Sequence, residues 1–331
     1  MSGRSIEVAS LPHGPRDPVT ELPARQPGSV RRTTSIDQRR GGPGEPQELV
    51  ACGRDLLTRG DRTTEVVDEV RVRATVDALG IVTAIAAEPP VPELADLVGV
   101  PASKGFRARL DDLLPRHRDG GTVLLQLLDD IPMAGLISSY GSSREQPDFR
   151  LPPGAAARLT DLCAGWAGGG TMLGSLDSTG IFPIPGGPPA PDLRAADDPH
   201  AWHEMPEMAL RSIRRRRRLD LVGGRPLALD VHFRDSHLGA DGLEEVLHEY
   251  TLAASIEPDA LTVLGAEASA RVLPWPECPG AIASAGRIVA EPVAALRRLV
   301  ASDFTGTTTC THLNDVLRSL AGVTALAAAL P

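Results

Sequence analysis

The chain has 331 residues, 42% of them apolar and 3% aromatic, so two ordinary domains fit and the core must rest on Ala, Val and Leu. A net charge of −9 argues against a general nucleic-acid binder. There is no uncharged apolar run of membrane-spanning length, no apolar signal core at the start, and no disulfide-scaffold spacing among Cys52, Cys163, Cys278 and Cys310.

These features predict a cytoplasmic protein with free thiols and no membrane partner. The Arg-rich, Lys-poor composition points to a bacterial source.

Residues 1–28 read as a flexible tail, and "RRGGPGEPQ" (39–47) as a flexible connection. A first unit is expected over 29–145. "DEVRVRATVD", from Asp68, alternates apolar and polar residues as a half-buried strand does, and "IVTAIAAEP" follows as a second strand. "FRARLDDLLPRH" and "GGTVLLQLLDDI" then read as helices. Residues 146–205 carry a helical stretch, "GAAARLTDLCAGWAG", and the Pro/Gly-rich loop "IFPIPGGPPAPDLRAADDPH".

A second unit is expected over 206–331. It opens with "SIRRRRRLDLVGGRPLALDVHFRDSH", whose run Arg214 to Arg218 suits either a phosphate clamp, as for a coenzyme A-type ligand, or a solvated, edge-protecting strand. "HEYTLAASIE" and "LTVLGAEASARVLP" are its strands, and "PVAALRRLVASD" and "TGTTTCTHLNDVL" its helices.

The units resemble each other. Arg54-Asp55 precedes Asp68 as Arg234-Asp235 precedes His248, with an offset of 180 throughout. Gly121, Leu127 and Asp129 match Gly306, Leu313 and Asp315. The expectation is an α+β fold of two pseudo-repeated units, each about three antiparallel strands followed by covering helices.

The second unit carries groups the first lacks. His248 replaces Asp68, Cys278 replaces Val98, and Cys310 and His312 replace Leu124 and Gln126. Packing alone therefore does not account for them. Cys310 precedes an apolar-periodic run with Thr307, Thr308 and Thr309 available as caps, where a helix macrodipole favours thiolate. Cys278 sits between Pro276 and Pro279, which fix the chain locally.

His248, Cys278, Cys310 and His312 form a candidate metal set, suited to zinc or an iron–sulfur cluster. Glu277 is a candidate general base if Cys310 is instead a nucleophile. The recurring residues Arg234, Asp235 and Glu249 read as structural.

"RRTTSID" (31–37), "LHEYTL" (247–252), "LPWPECP" (273–279) and "GTTTCTHLNDVLRSL" (306–320) together resemble the bacterial domain-of-unknown-function family numbered 2889. The resemblance implies that His248, Cys278, Cys310 and His312 are hallmark positions. More distantly, the order of His248, Cys278 and Cys310 is similar to the ligand order of NifU-like iron–sulfur scaffolds, which implies a sheet of three antiparallel strands covered on one face.

Three functions compete. The favoured one is a metal- or cluster-binding domain in the second unit. The alternatives are a cysteine-dependent acyl-thioester hydrolase or transferase of double-hotdog type, and a non-catalytic protein with a protein partner.

Overall fold

The computed structural model of the chain describes residues 11–40, 45–103, 105–145, 150–151, 154–183, 185–194 and 197–331. The expected flexible segments at 1–10 and 41–44 lie outside them. Eight strands build one antiparallel sheet: β1 (Ser29–Arg40), β2 (Gln47–Thr58), β3 (Thr64–Val76), β4 (Val82–Glu88), β5 (Ser212–Val222), β6 (Leu227–Leu238), β7 (Glu244–Ile256) and β8 (Val263–Val272). Their order is β4-β3-β2-β1-β5-β6-β7-β8, so two meanders meet at the β1–β5 pair.

The helices follow each meander. α1 (Phe106–Leu113), α2 (Pro115–Gly120) and α3 (Val123–Glu145) come after β4. α4 (Ala155–Leu159) and α5 (Thr171–Thr179) lie in the connection. α6 (Leu296–Asp303), α7 (Thr311–Ser319) and α8 (Val323–Ala328) close the chain.

Alternation along the strands decides which residues meet the helices, because successive side chains point to opposite faces. On β3, Val70, Val72, Ala74 and Val76 are buried. They join Ile36 and Leu49 in a core covered by Phe106 and Leu110 of α1 and by Val123, Leu127, Leu128 and Ile131 of α3. On the other side Phe233, Tyr250 and Leu252 pack with Leu313, Val316 and Leu317 of α7. Each such side chain contributes about 1.5–3 kcal/mol by burial.

Several expectations are corrected. Each meander has four strands, not three, because β1 and β5 carry runs of Arg and other polar residues in place of the expected apolar alternation. β5 is a central strand, and its five arginines are neither solvated nor at an edge. They are buried against acids, most of them supplied by other elements: Arg214 by Asp37 at 2.5 Å, Arg215 by Asp235 at 2.7 Å, Arg216 by Glu244 at 2.6 Å, Arg217 by Asp130 at 2.8 Å, and Arg218 by Asp230 and by Asp220 of β5 itself.

The stretch expected as one helix around 154–168 is α4 plus a separate 3-10 turn, Ala164–Trp166. The described part of the presumed tail lies against the sheet. Arg25 pairs with Asp198 at 2.7 Å, and Val19 accepts from Arg234 and donates to Glu249. Those contacts cover the face opposite the helices. Among the described residues, no helix is long and apolar enough to cross a membrane.

Candidate functional site

The site grows from three neighbouring elements on the helical face. Asp235 stands on β6 directly opposite His248 on β7, just where the β6–β7 register shifts by a bulge. A bulge re-aims side chains, which brings His248 over the carboxylate. His312 enters from the first turn of α7.

One ligand atom from each of Asp235, His248 and His312 lies within 4.8 Å of the others. His312 Nδ1 is 3.0 Å from Asp235 Oδ2, His248 Nδ1 is 3.8 Å from the same oxygen, and the imidazole rings stack with centroids 3.6 Å apart.

Arg215 holds the carboxylate from below. Its Nε donates to Oδ1 at 2.7 Å and its Nη2 to Oδ2 at 3.0 Å, while Nη1 donates to Asp315 at 2.8 Å. Burial resists charge on Asp235, but the Arg215 guanidinium and His312 outweigh it, and the carboxyl is held well below its usual range. His248 is driven far below the ordinary histidine value by burial and by the neighbouring His312, so its imidazole is neutral at pH 7. A neutral imidazole is the ligating form.

The two histidines form one wall of a cavity of about 100 Å³. Cys163, Cys278 and Cys310 line it too, with Trp166, Met172, Phe182 and Trp275 supplying apolar walls. All four residues of the predicted metal set therefore face one cavity. They do not form one ligand cluster: among the described residues, no group within 4.8 Å joins a cysteine to the histidines.

Cys310 is the N-cap of α7, displacing the expected threonine caps, and no side-chain hydrogen bond caps that end. The amides of Leu313 and His312 and the Tyr250 hydroxyl favour its thiolate, as the macrodipole argument requires. Burial is larger and pushes the thiol up, so the expected thiolate is not favoured. The thiol of Cys163 is pushed up to about 11 and that of Cys278 higher still, both by burial first and then by the Cys310 sulfur.

Glu277 does not face the cavity chemistry. Its Oε1 accepts from the backbone N–H of Thr171 at 2.7 Å and from the Thr171 hydroxyl at 2.8 Å, tying the start of α5 to the turn before Cys278. That geometry replaces the general-base expectation with a positional one.

Sequence reasoning missed two residues. Asp235 reads as structural, part of an ion pair or turn, because Arg234-Asp235 recurs as Arg54-Asp55 in the first unit. Its bond partner is Arg215, not the adjacent Arg234, which pairs with Glu249 on the other face. The Asp235–His248 offset matches the Asp55–Asp68 offset, and the change of Asp68 to His248 was the signal that could have found it. Cys163 had no such signal: it reaches the cavity through the 3-10 turn, where the amide of Ala164 donates to Thr309 just ahead of Cys310.

Residues 212–326 match the profile of a family described as "Protein of unknown function (DUF2889)". The match runs from β5 into α8 and includes Asp235, His248, Cys278, Cys310 and His312, and it leaves Cys163 and "RRTTSID" outside. No curated protein and no solved structure matches the chain, and nothing in the comparisons supports the likeness to NifU-like scaffolds.

Proposed function

We propose that the chain holds one zinc or ferrous ion on Asp235, His248 and His312, with the remaining coordination positions turned toward the cysteine-lined cavity. The observation that carries this reading is the approach of one carboxylate and two imidazoles at ligand spacing. Tetrahedral bonds of about 2.0–2.2 Å place neighbouring ligand atoms about 3.3–3.6 Å apart, and the separations here, 3.0 and 3.8 Å, lie on either side of that range. Two imidazoles and a carboxylate suit zinc or non-haem iron, with Arg215 orienting the carboxylate from outside. An iron–sulfur cluster needs thiolates, and burial keeps these thiols protonated.

A second reading rests on Arg215 itself. Because it already occupies both oxygens of Asp235, the Asp235–His312 hydrogen bond also fits a metal-free acid–base pair, with the carboxylate fixing the imidazole orientation. The thioester-hydrolase reading through Cys310 has burial of the thiol against it.

The two-unit reading belongs to the same proposal. Arg32–Asp55 and Arg215–Asp235 are facing cross-strand pairs, and the ladder bulges directly after Asp55 and after Asp235. These coincidences support an internal duplication in which only the second copy acquired imidazole ligands.

Elemental analysis of protein purified anaerobically tests the proposal. About one metal per chain is expected, lost in His248→Ala and in Asp235→Asn, and kept in a Cys278→Ser/Cys310→Ser double variant. Loss in the cysteine variant alone would return the ligand set to the thiols. Absence of metal from wild type would leave the acid–base pair.

A further inference from the structure

On the face opposite the histidines, a second cavity of about 1020 Å³ lies between the sheet and the chain segment around residues 190–208. That is the upper end of the size range for small-molecule sites. Its floor carries Arg54 of β2 with Arg214 and Arg216 of β5.

The three guanidiniums differ in how they are compensated. Arg214 is held by both oxygens of Asp37, at 2.5 and 2.6 Å, and by the carbonyl of Pro206. Arg54 has no carboxylate partner among the described residues. Its Nη2 donates to the carbonyls of His200 and Trp202, each at 2.9 Å, and its buried Nε has no acceptor. Arg216 reaches Glu244 through Nη2 at 2.6 Å, and its buried Nε also lacks an acceptor.

Arg54 is 8% exposed and Arg216 5%. A buried cation without a matching anion is costly, and so is a buried donor without an acceptor. Burial lowers the pKa of both groups, with Glu69 pulling Arg54 and Glu244 pulling Arg216 the other way.

The acids around the cavity do not cancel this charge. Asp192 is taken by Arg194 at 2.8 Å and Asp198 by Arg25 at 2.7 Å. Glu244 is shared between Arg216 and the Ser236 hydroxyl. Glu204 and Glu207 are exposed at the rim, where water screens them. The floor is therefore cationic and the rim acidic.

We propose that this cavity binds a small organic oxyanion, a carboxylate or a phosphate, received by the guanidiniums of Arg54 and Arg216, which line it and whose buried Nε–H groups lack an acceptor. A guanidinium offers paired donors whose spacing fits either oxyanion. The site is separate from the Asp235–His248–His312 group, which lies across the sheet.

The test is titration of the full chain with inorganic pyrophosphate and, in parallel, with citrate. Calorimetry follows the binding, and arginine Nε–H resonances report the contact. Saturable binding of one anion per chain is expected, at least tenfold weaker in Arg54→Met and unchanged in His248→Ala. Preference for pyrophosphate or for citrate assigns the headgroup.

If Arg54→Met does not fold, wild type still decides. The Arg54 Nε–H resonance, assigned through Arg54→Lys, must shift with ligand. Absence of saturable binding of both probes at millimolar concentration, or equal binding by a folded Arg54→Met protein, overturns the proposal.

Discussion

Replacing Arg32 by Met removes the cation of a buried ion pair. Arg32 is 0% exposed and Asp55 2%. Nε donates to Oδ1 at 2.7 Å, Nη2 to Oδ2 at 2.6 Å, and Nη1 to the carbonyl of Gly121 at 2.7 Å. Methionine of similar length keeps the apolar contacts but leaves Asp55 buried and ionised opposite Asp68 on β3.

Breaking a buried pair from one side costs about 3–5 kcal/mol, whereas replacing both partners by apolar groups is often neutral. With a urea m-value near the upper end of the usual range, about 3 kcal/mol/M, the unfolding midpoint should fall by about 1–2 M. The double variant Arg32→Met/Asp55→Leu should recover most of that loss.

Asp68 adds a pH signature. Burial, and then the Asp55 charge, push its carboxyl up, with Arg32 pulling the other way. Without Arg32 the carboxyl rises further. A carboxyl raised in the folded state favours folding at low pH and loses that contribution as pH rises through its folded value. The deficit of Arg32→Met should therefore be smaller at pH 5 than at pH 8. Circular dichroism during urea unfolding measures all three quantities. A cost below about 1 kcal/mol, or a double variant less stable than the single one, would refute the view that these charges are desolvated and mutually dependent.

Two further outcomes follow from packing and from buried histidines. Gly121 has φ +61° and sits against the backbone carbonyl of Ala321, so Gly121→Ala meets both a strained backbone and a clash; a loss of at least about 2 kcal/mol is expected in the same assay, and a neutral result would mean the two turns do not touch. His203 is pushed down to about 3 and His232 to about 4, mainly by burial; the unfolded chain therefore binds protons the folded one refuses, and stability should fall as pH drops from about 6.5 toward 4.5, by up to about 1.4 kcal/mol per pH unit for each. A midpoint flat across that window, or a slope unchanged in His203→Gln, would exclude buried neutral histidines as its source.

Much of the architecture was legible because short-range pattern and tertiary role coincide. β3, β4, β7 and β8 alternate visibly, and α7 presents Leu313, Val316, Leu317 and Leu320 at helical spacing. The candidate site was half legible. Comparing the two halves isolated His248 and His312, since a position that tolerates Asp68 or Gln126 does not need imidazole for packing. The same comparison hid Asp235, because an aspartate common to both halves looks structural. Its chemistry depends on what stands across the bulge, and pairing across strands is a non-local fact. The cysteines misled in a different way: a helix N-terminus favours thiolate in solution, but the depth at which Cys310 is buried is set by Tyr250 and the wall of the cavity, which no local pattern records.

The arginine run of β5 was the least legible element, and its logic explains why the sheet centre is built from charge. Arg214, Arg216 and Arg218 face one side and meet Asp37, Glu244 and Asp220; Arg215 and Arg217 face the other and meet Asp235, Asp315 and Asp130. A slip of one residue in the β1–β5 or β5–β6 ladder would carry each arginine to the opposite face. Apolar strands would resist such a slip only through packing volume. Here a neighbouring arginine would take most of the vacated places, and the cost would fall on the flank of the run, where Asp220 would replace Leu219, which is buried in the core. The register that matters for the site is that of β6 on β7, where the bulge after Asp235 sets it opposite His248 and lets the candidate ligands converge.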